Sequence, residues 1–112
     1  MPKNSSFQTL PEEAIGLMAA RFRALGEVSR LKLIFAAGNG EKNVSQLIAA
    51  TGLSQANVSK HLQILTARGF LVRRKRGIFV FYSTPDSSVF KLCEVGNTSL
   101  AKRSGLVEFS NR

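Results

Sequence analysis

The stretch NVSQLIAATGLSQANVSKHLQILTAR, residues 43–68, restricts the folds open to this chain more than any other. Asn43, with Gln46 three residues later, opens a short helix that carries Val44, Leu47, Ile48 and Thr51 inward. Gly52 stops that helix and lets the backbone turn left-handed, Leu53 packs back on it, and Ser54 caps the next helix, Gln55 to Arg68. Along this second helix Val58, Leu62 and Leu65 recur on one side, while Gln55, Ser59, Lys60 and Gln63 fall on the other. Two helices joined by so tight a glycine-containing turn brace one another, and the second presents its polar side outward.

The flanks supply what this pair needs to be covered. Met1 to Gln8 is polar and without periodicity, which predicts a disordered tail over 1–8. Thr9-Leu10-Pro11-Glu12 reads as a capping box that starts a first helix running to about Leu25, with Ile15, Met18, Phe22 and Leu25 at helical spacing and Gly26 as its end. Ser29 is placed to cap a second helix, Arg30 to Ala37, with Leu31, Ile34 and Phe35 as its apolar stripe. After Gly69, the β-rich runs Phe70 to Arg74 and Ile78 to Ser83 read as a hairpin turning at Lys75-Arg76-Gly77. Thr84-Pro85-Asp86 resets the chain into a last helix over Asp86 to Lys102, with Val89, Leu92, Cys93, Gly96 and Leu100 on one stripe. The expected fold is mainly α with a β-hairpin wing, in the order α-α-α-α-β-β-α: a winged helix-turn-helix over 9–103, with a C-terminal tail over 104–112.

Charge narrows the partner. Sixteen Lys and Arg stand against seven Asp and Glu in 112 residues, a net charge of +9, which favours a polyanion. Nucleic acid and anionic membrane both qualify. No apolar run approaches the roughly 18 residues of a membrane span, and the N-terminus has no apolar signal segment, so no membrane partner and a cytoplasmic location are expected. One cysteine, Cys93, forms no internal disulfide and, with the single His61, supplies no zinc framework. No cofactor is expected. Paired carboxylates with a helper, an activated Ser or Cys in motif context and a glycine-rich phosphate loop are all missing, which argues against an enzyme.

Double-stranded DNA fits the pattern. A braced second helix enters a major groove with its N-terminal residues at the base edges. The amides of Gln55, Asn57 and Gln63 suit adenine, Lys60 suits guanine or a phosphate, and Ser54 and Ser59 suit phosphate at the helix N-terminus. His61 is assigned beside the DNA as a packing or phosphate-contacting residue. Arg68, Arg73, Arg74, Lys75 and Arg76 crowd five cations into nine positions next to this helix. A charge run alone is commonly a solvated face, but on a hairpin tip beside a helix-turn-helix it is placed to straddle a phosphate backbone or reach the minor groove.

The run FRALGEVSRLKLIFAAGNGEKNVSQLIAATGLSQANVSKHLQILTARGFLVRRKRGIFVFYST, Phe22 to Thr84, resembles the winged helix-turn-helix of the ArsR/SmtB family of bacterial repressors. FRALGEVSRLKLI, LSQANVSKHLQIL and the wing ending VFYS carry the resemblance most specifically. It implies a homodimer held mainly by the first and last helices, an inverted-repeat operator, and release when an effector binds. Ile15, Met18, Phe22, Val89, Leu92, Cys93, Gly96 and Leu100 are the interface residues this implies, Gly96 allowing close helix approach. The competing reading is that the last helix only caps its own core.

The resemblance also implies metal sites that this chain lacks. Where many relatives carry Cys-x-Cys in the third helix it has Asn43-Val44-Ser45, and where others carry Asp-x-His, then His and Glu, it has Asp86-Ser87-Ser88, then Ser99 and Lys102. Asp86 is better read as a helix-start residue. A two-cysteine redox switch is excluded within one chain, which leaves Cys93 as a packing residue or a lone redox thiol. The effector is left open. The expected function is a sequence-specific DNA-binding regulator, a repressor by resemblance. The alternative is a winged-helix interaction module for protein or structured RNA with only nonspecific DNA affinity.

Overall fold

The computed structural model describes residues 10–38 and 40–104, the side chains of 98–104 excepted. Both expected tails, 1–8 and 104–112, lie outside the described residues apart from Ser104. Five helices and one hairpin follow in order: α1 Glu12–Leu25, α2 Val28–Ala37, α3 Val44–Thr51, α4 Gln55–Ala67, β1 Val72–Arg76, β2 Phe79–Ser83 and α5 Ser88–Ser104. This is the expected winged helix-turn-helix order. Among the described residues no helix is long and apolar enough to cross a membrane.

The central corner forms as its residues dictate. Asn43 Oδ1 accepts from the Gln46 amide at 2.9 Å while Gln46 Oε1 accepts from the Asn43 amide at 2.8 Å, so two of the orphan donors at the start of α3 are satisfied. Gly52 ends α3 at φ 75°, and its amide donates to Ile48 O. Ser54 Oγ then accepts from the Asn57 amide at 3.1 Å and starts α4. Leu33 and Ile34 of α2, Leu47 of α3, and Val58, Leu62 and Leu65 of α4 are buried together with Leu71. Each such side chain contributes roughly 1.5–3 kcal/mol on leaving water, so this cluster holds the three helices in one block.

Boundaries differ where the core or a cap competes with the local pattern. α1 begins after Pro11, which offers no capping side chain; its carbonyl accepts from the Ile15 amide, and Thr9 lies outside the described residues. α2 is capped by Glu27, not Ser29: Glu27 Oε1 accepts from the Arg30 amide at 3.0 Å, and Ser29 falls inside the first turn. α5 starts at Ser88 because Asp86 Oδ1 accepts from the Ser88 amide at 2.8 Å and from its hydroxyl. These bonds hold the Asp86 carboxyl below its usual range, the side-chain bond foremost.

The hairpin is displaced toward its tip. Phe70 and Leu71, expected in the first strand, are instead buried in the core, because α4 closes with Gly69 at φ 81° and the Phe70 amide donating to Leu65 O at 2.9 Å. Strand pairing runs from Val72↔Ser83 to Arg76↔Phe79, so Lys75 and Arg76 are strand residues and the turn is Gly77-Ile78. A two-residue turn needs positive φ, which Gly77 supplies at 61°. Lys42 and Tyr82 exchange two backbone hydrogen bonds, at 3.0 and 2.8 Å, and so fasten the hairpin to the loop before α3.

A Cβ at Gly52 would meet nothing within 4 Å, so only the left-handed backbone opposes a side chain there. Gly52→Ala is expected to cost about 1–2 kcal/mol in urea denaturation at fixed protein concentration, without changing the fold seen by circular dichroism.

Candidate nucleic-acid interface

Helix α4 sorts its side chains by depth. Val58, His61, Leu62 and Leu65 face the core, whereas Ser54, Gln55, Asn57, Ser59, Lys60 and Gln63 are exposed along the opposite side. Ala56 is exposed among them and keeps the front of the helix low enough for close approach. Every expected reading residue except His61 therefore lies on one outward face.

His61 is a correction. It is only 6% exposed, and its Nδ1 lies 3.2 Å from Arg30 Nη1. The spacing carried the signal, since residue 61 is three after Val58 and four before Leu65 and belongs to the buried stripe. Polarity had placed it among its exposed neighbours instead.

The basic hairpin has two faces, because successive strand residues alternate. Arg73 turns toward α4 and, with Ser59, Gln63, Thr66 and Tyr82, lines an open cleft of about 590 Å³ between α4 and the hairpin. Lys75 shares Arg73's side of the strand. Arg74 and Arg76 occupy the other side, 3.4 and 2.5 Å from the two carboxylate oxygens of Glu41, and Arg76 also lies 5.5 Å from the Phe81 ring centre. Glu41 was not anticipated as a partner, since nothing in its local sequence points to a strand more than thirty residues on. Arg68 is exposed at the end of α4, and Ile78, 87% exposed, forms the tip.

A second exposed surface lies on α1 and α5. Ile15, Met18, Phe22 and Leu92 are large, apolar and exposed, Phe22 at 55%, with Leu17 and Val95 beside them in sequence. Met18, Phe22, Leu25, Phe70, Val89 and Leu92 line a groove of about 220 Å³, and the Arg21 guanidinium sits 4.4 Å from the Phe70 ring centre at its side. The stripe expected on α5 divides: Val89 is buried in the chain's own core and Cys93 packs against it, while Leu92 and Gly96 face outward. The helix thus both caps its own core and leaves an uncovered apolar edge. Leu100 lies outside the residues whose side chains are described.

The family profile "Bacterial regulatory protein, arsR family" matches residues 27–72. The chain is 31% identical over 91 residues to a probable mercury resistance operon repressor of Streptomyces lividans, covering 81% of this chain and 73% of that protein. It belongs to the arsR family. Among solved structures, the AntR antimony-specific transcriptional repressor superposes with a TM-score of 0.74 at 25% identity, over 95% of this chain and 96% of that one. A homodimeric winged helix-turn-helix DNA-binding domain from Mycobacterium bovis does so at 0.69 and 20% identity, over 100% and 97%. As an arsR-family protein the chain is a DNA-binding regulator of transcription, not an enzyme.

Among the described residues no three His, Cys, Asp or Glu side chains come together in a metal-holding group. Cys93 is half-buried, and loss of solvent raises its thiol above the usual value. A raised value leaves less thiolate at neutral pH, and the thiolate is the reactive form. Iodoacetamide is therefore expected to modify Cys93 more slowly than free cysteine at pH 7, with the difference narrowing at higher pH and vanishing in urea; mass spectrometry of timed samples checks it.

Proposed function

We propose that this arsR-family protein is a cytoplasmic homodimeric repressor that reads a short inverted-repeat operator. The observation that carries the reading is the single outward face of α4, formed by Gln55, Asn57, Ser59, Lys60 and Gln63, beside a cleft that Arg73 makes cationic. An α-helix fits the major groove, and amide and ammonium side chains at its N-terminal half match the donor and acceptor pattern of base edges. Ser54 and Ser59 are short enough to bring the helix against phosphate. Arg73, Lys75 and Arg68 are assigned to the backbone beside it.

The exposed apolar residues of α1 and α5 support the dimer. Water against Ile15, Met18, Phe22 and Leu92 is unfavourable, and a second copy of the same face removes it from both chains at once. A two-fold pair of reading helices then meets half-sites about one helical turn apart, which makes the operator symmetric. A single Cys93 and a single His61 in the chain, with no metal-holding group among the described residues, support control by something other than the family's usual metal sites.

Selection from random duplex DNA at physiological salt, followed by sequencing, is expected to return a two-fold symmetric motif. Binding to all sequences alike that disappears as salt rises would instead favour a protein- or RNA-binding module. On the selected duplex, Gln55→Ala or Lys60→Ala should relax preference at one base position per half-site by about 1–3 kcal/mol. Arg73→Ala should weaken every duplex and flatten the salt slope by about one contact per chain. Phe22→Glu should shift sedimentation from dimer to monomer and abolish symmetric binding while leaving the helical circular dichroism in place.

A further inference from the structure

The buried imidazole of the reading helix is tied to the far end of α1 by one arginine. Arg30 Nε donates to Ala24 O at 2.6 Å, its Nη2 reaches Arg23 O at 3.4 Å, and its Nη1 meets His61 Nδ1 at 3.2 Å. Arg23 and Ala24 close α1, where unpaired carbonyls accumulate and a cation is favourable. The same residue's amide is held by the Glu27 carboxylate, whose Oε1 also lies 3.9 Å from His61 Nε2. From its place in the first turn of α2, one guanidinium therefore touches both the helix with the exposed apolar face and the helix with the polar outward face.

The chemistry of the contact fixes the imidazole. A guanidinium only donates, so a bond to it requires an unprotonated Nδ1, which places the neutral ring's hydrogen on Nε2, toward Glu27. His61 is then oriented at its Nδ1 end by a donor on α2, while the Glu27 carboxylate, 3.9 Å from Nε2, lies beyond hydrogen-bond reach. The apolar neighbours Val58, Leu62 and Leu65 hold α4 against the core, but such packing is non-directional. Burial of that stripe sets the coarse rotation of the helix about its own axis, and a hydrogen bond with a fixed donor angle adds the fine setting within it.

We propose that Arg30 and His61 are positioning residues that set the rotation of the reading helix relative to the end of α1. Neither touches DNA. The inference rests on the proposed operator reading for its DNA consequence and deepens it: the rotation of α4 decides which of Gln55, Asn57, Lys60 and Gln63 meet base edges. It also gives the α1 end of the molecule a direct mechanical connection to the DNA face.

Two measurements on the full chain test it. Nitrogen-15 spectra of the histidine ring are expected to show Nδ1 unprotonated and Nε2 protonated, with the Nδ1 signal shifted in Arg30→Lys; a ring protonated on Nδ1, or one indifferent to Arg30→Lys, overturns the joint without reference to DNA. The second is the ratio of affinities for the selected duplex and for a scrambled duplex. His61→Leu, which fills space without an acceptor, should lower this ratio roughly tenfold while scrambled-duplex affinity stays within about twofold. His61→Asn, whose amide oxygen stands near the Nδ1 position, should recover most of it. Parallel loss on both duplexes, or equal ratios for Leu and Asn, would assign His61 a merely structural role. If selection returns no motif, the operator reading fails, while the ring spectra still decide whether the joint exists.

Discussion

Burial of one side of α4 is the constraint on which the rest of the structure depends. With Val58, Leu62 and Leu65 inside, the helix cannot turn far about its axis without exposing them, at a cost of several kcal/mol in sum. Its opposite residues are thereby committed to the surface, whatever their chemistry. The turn at Gly52 then fixes the crossing with α3, and the closing turn at Gly69 sends Phe70 and Leu71 back into the same core. The hairpin begins only after that return, so its distance from α4 follows from how the core is filled. The candidate DNA surface made of helix and wing is, in this protein, the outside of one hydrophobic decision.

Charge is distributed less simply than composition implies. The net +9 includes a basic run that reads as one patch in the sequence, yet strand alternation splits it. Arg73 borders the cleft beside α4, while Arg74 and Arg76 meet Glu41 on the other face. These pairs are more than half exposed on the arginine side, so each contributes little to stability. Their effect is geometric: Glu41 precedes Lys42, whose backbone pairs with Tyr82, so the ion pairs and the two backbone bonds act on the same side of the wing and oppose its swinging.

Local chemistry made much of this legible in advance. The capping box at Asn43 and Gln46, the stops at Gly38, Gly52 and Gly69, and the buried stripe of α4 depend on residues within a turn of each other, and each forms where the sequence places it. The errors arise where a distant residue decides. Phe70 and Leu71 have strand composition but are claimed by the core; Ser29 has a capping side chain but Glu27 reaches the Arg30 amide; His61 looks polar but is buried against a half-buried partner, Arg30. Glu41 was missed for the same reason, its partners lying across the hairpin. At α5 the pattern was right about an apolar stripe and silent about its division, because a stripe does not say which chain covers it.

Family membership without the familiar metal ligands leaves a question of magnitude. To weaken operator binding a hundredfold, any signal must favour the released state by ~2.7 kcal/mol. Metal chelation supplies such an amount easily, but so do much smaller events when the switching element is a single helix. Loss of one hydrogen bond to a charged group amounts to about 1.5–3 kcal/mol, and the contact between Arg30 and His61, which we propose sets the fine rotation of α4, is of that kind. A ligand, a partner or a change in dimer packing that displaces the end of α1 therefore acts on a contact of the right size. On the proposed operator reading a small shift of α4 is enough to change which amides meet base edges, one far smaller than the turn that would expose Val58, Leu62 and Leu65. On this proposal the missing ligands remove one way of moving α1 and α5 but leave intact the Arg30 contacts by which such a movement would reach the outward face of α4.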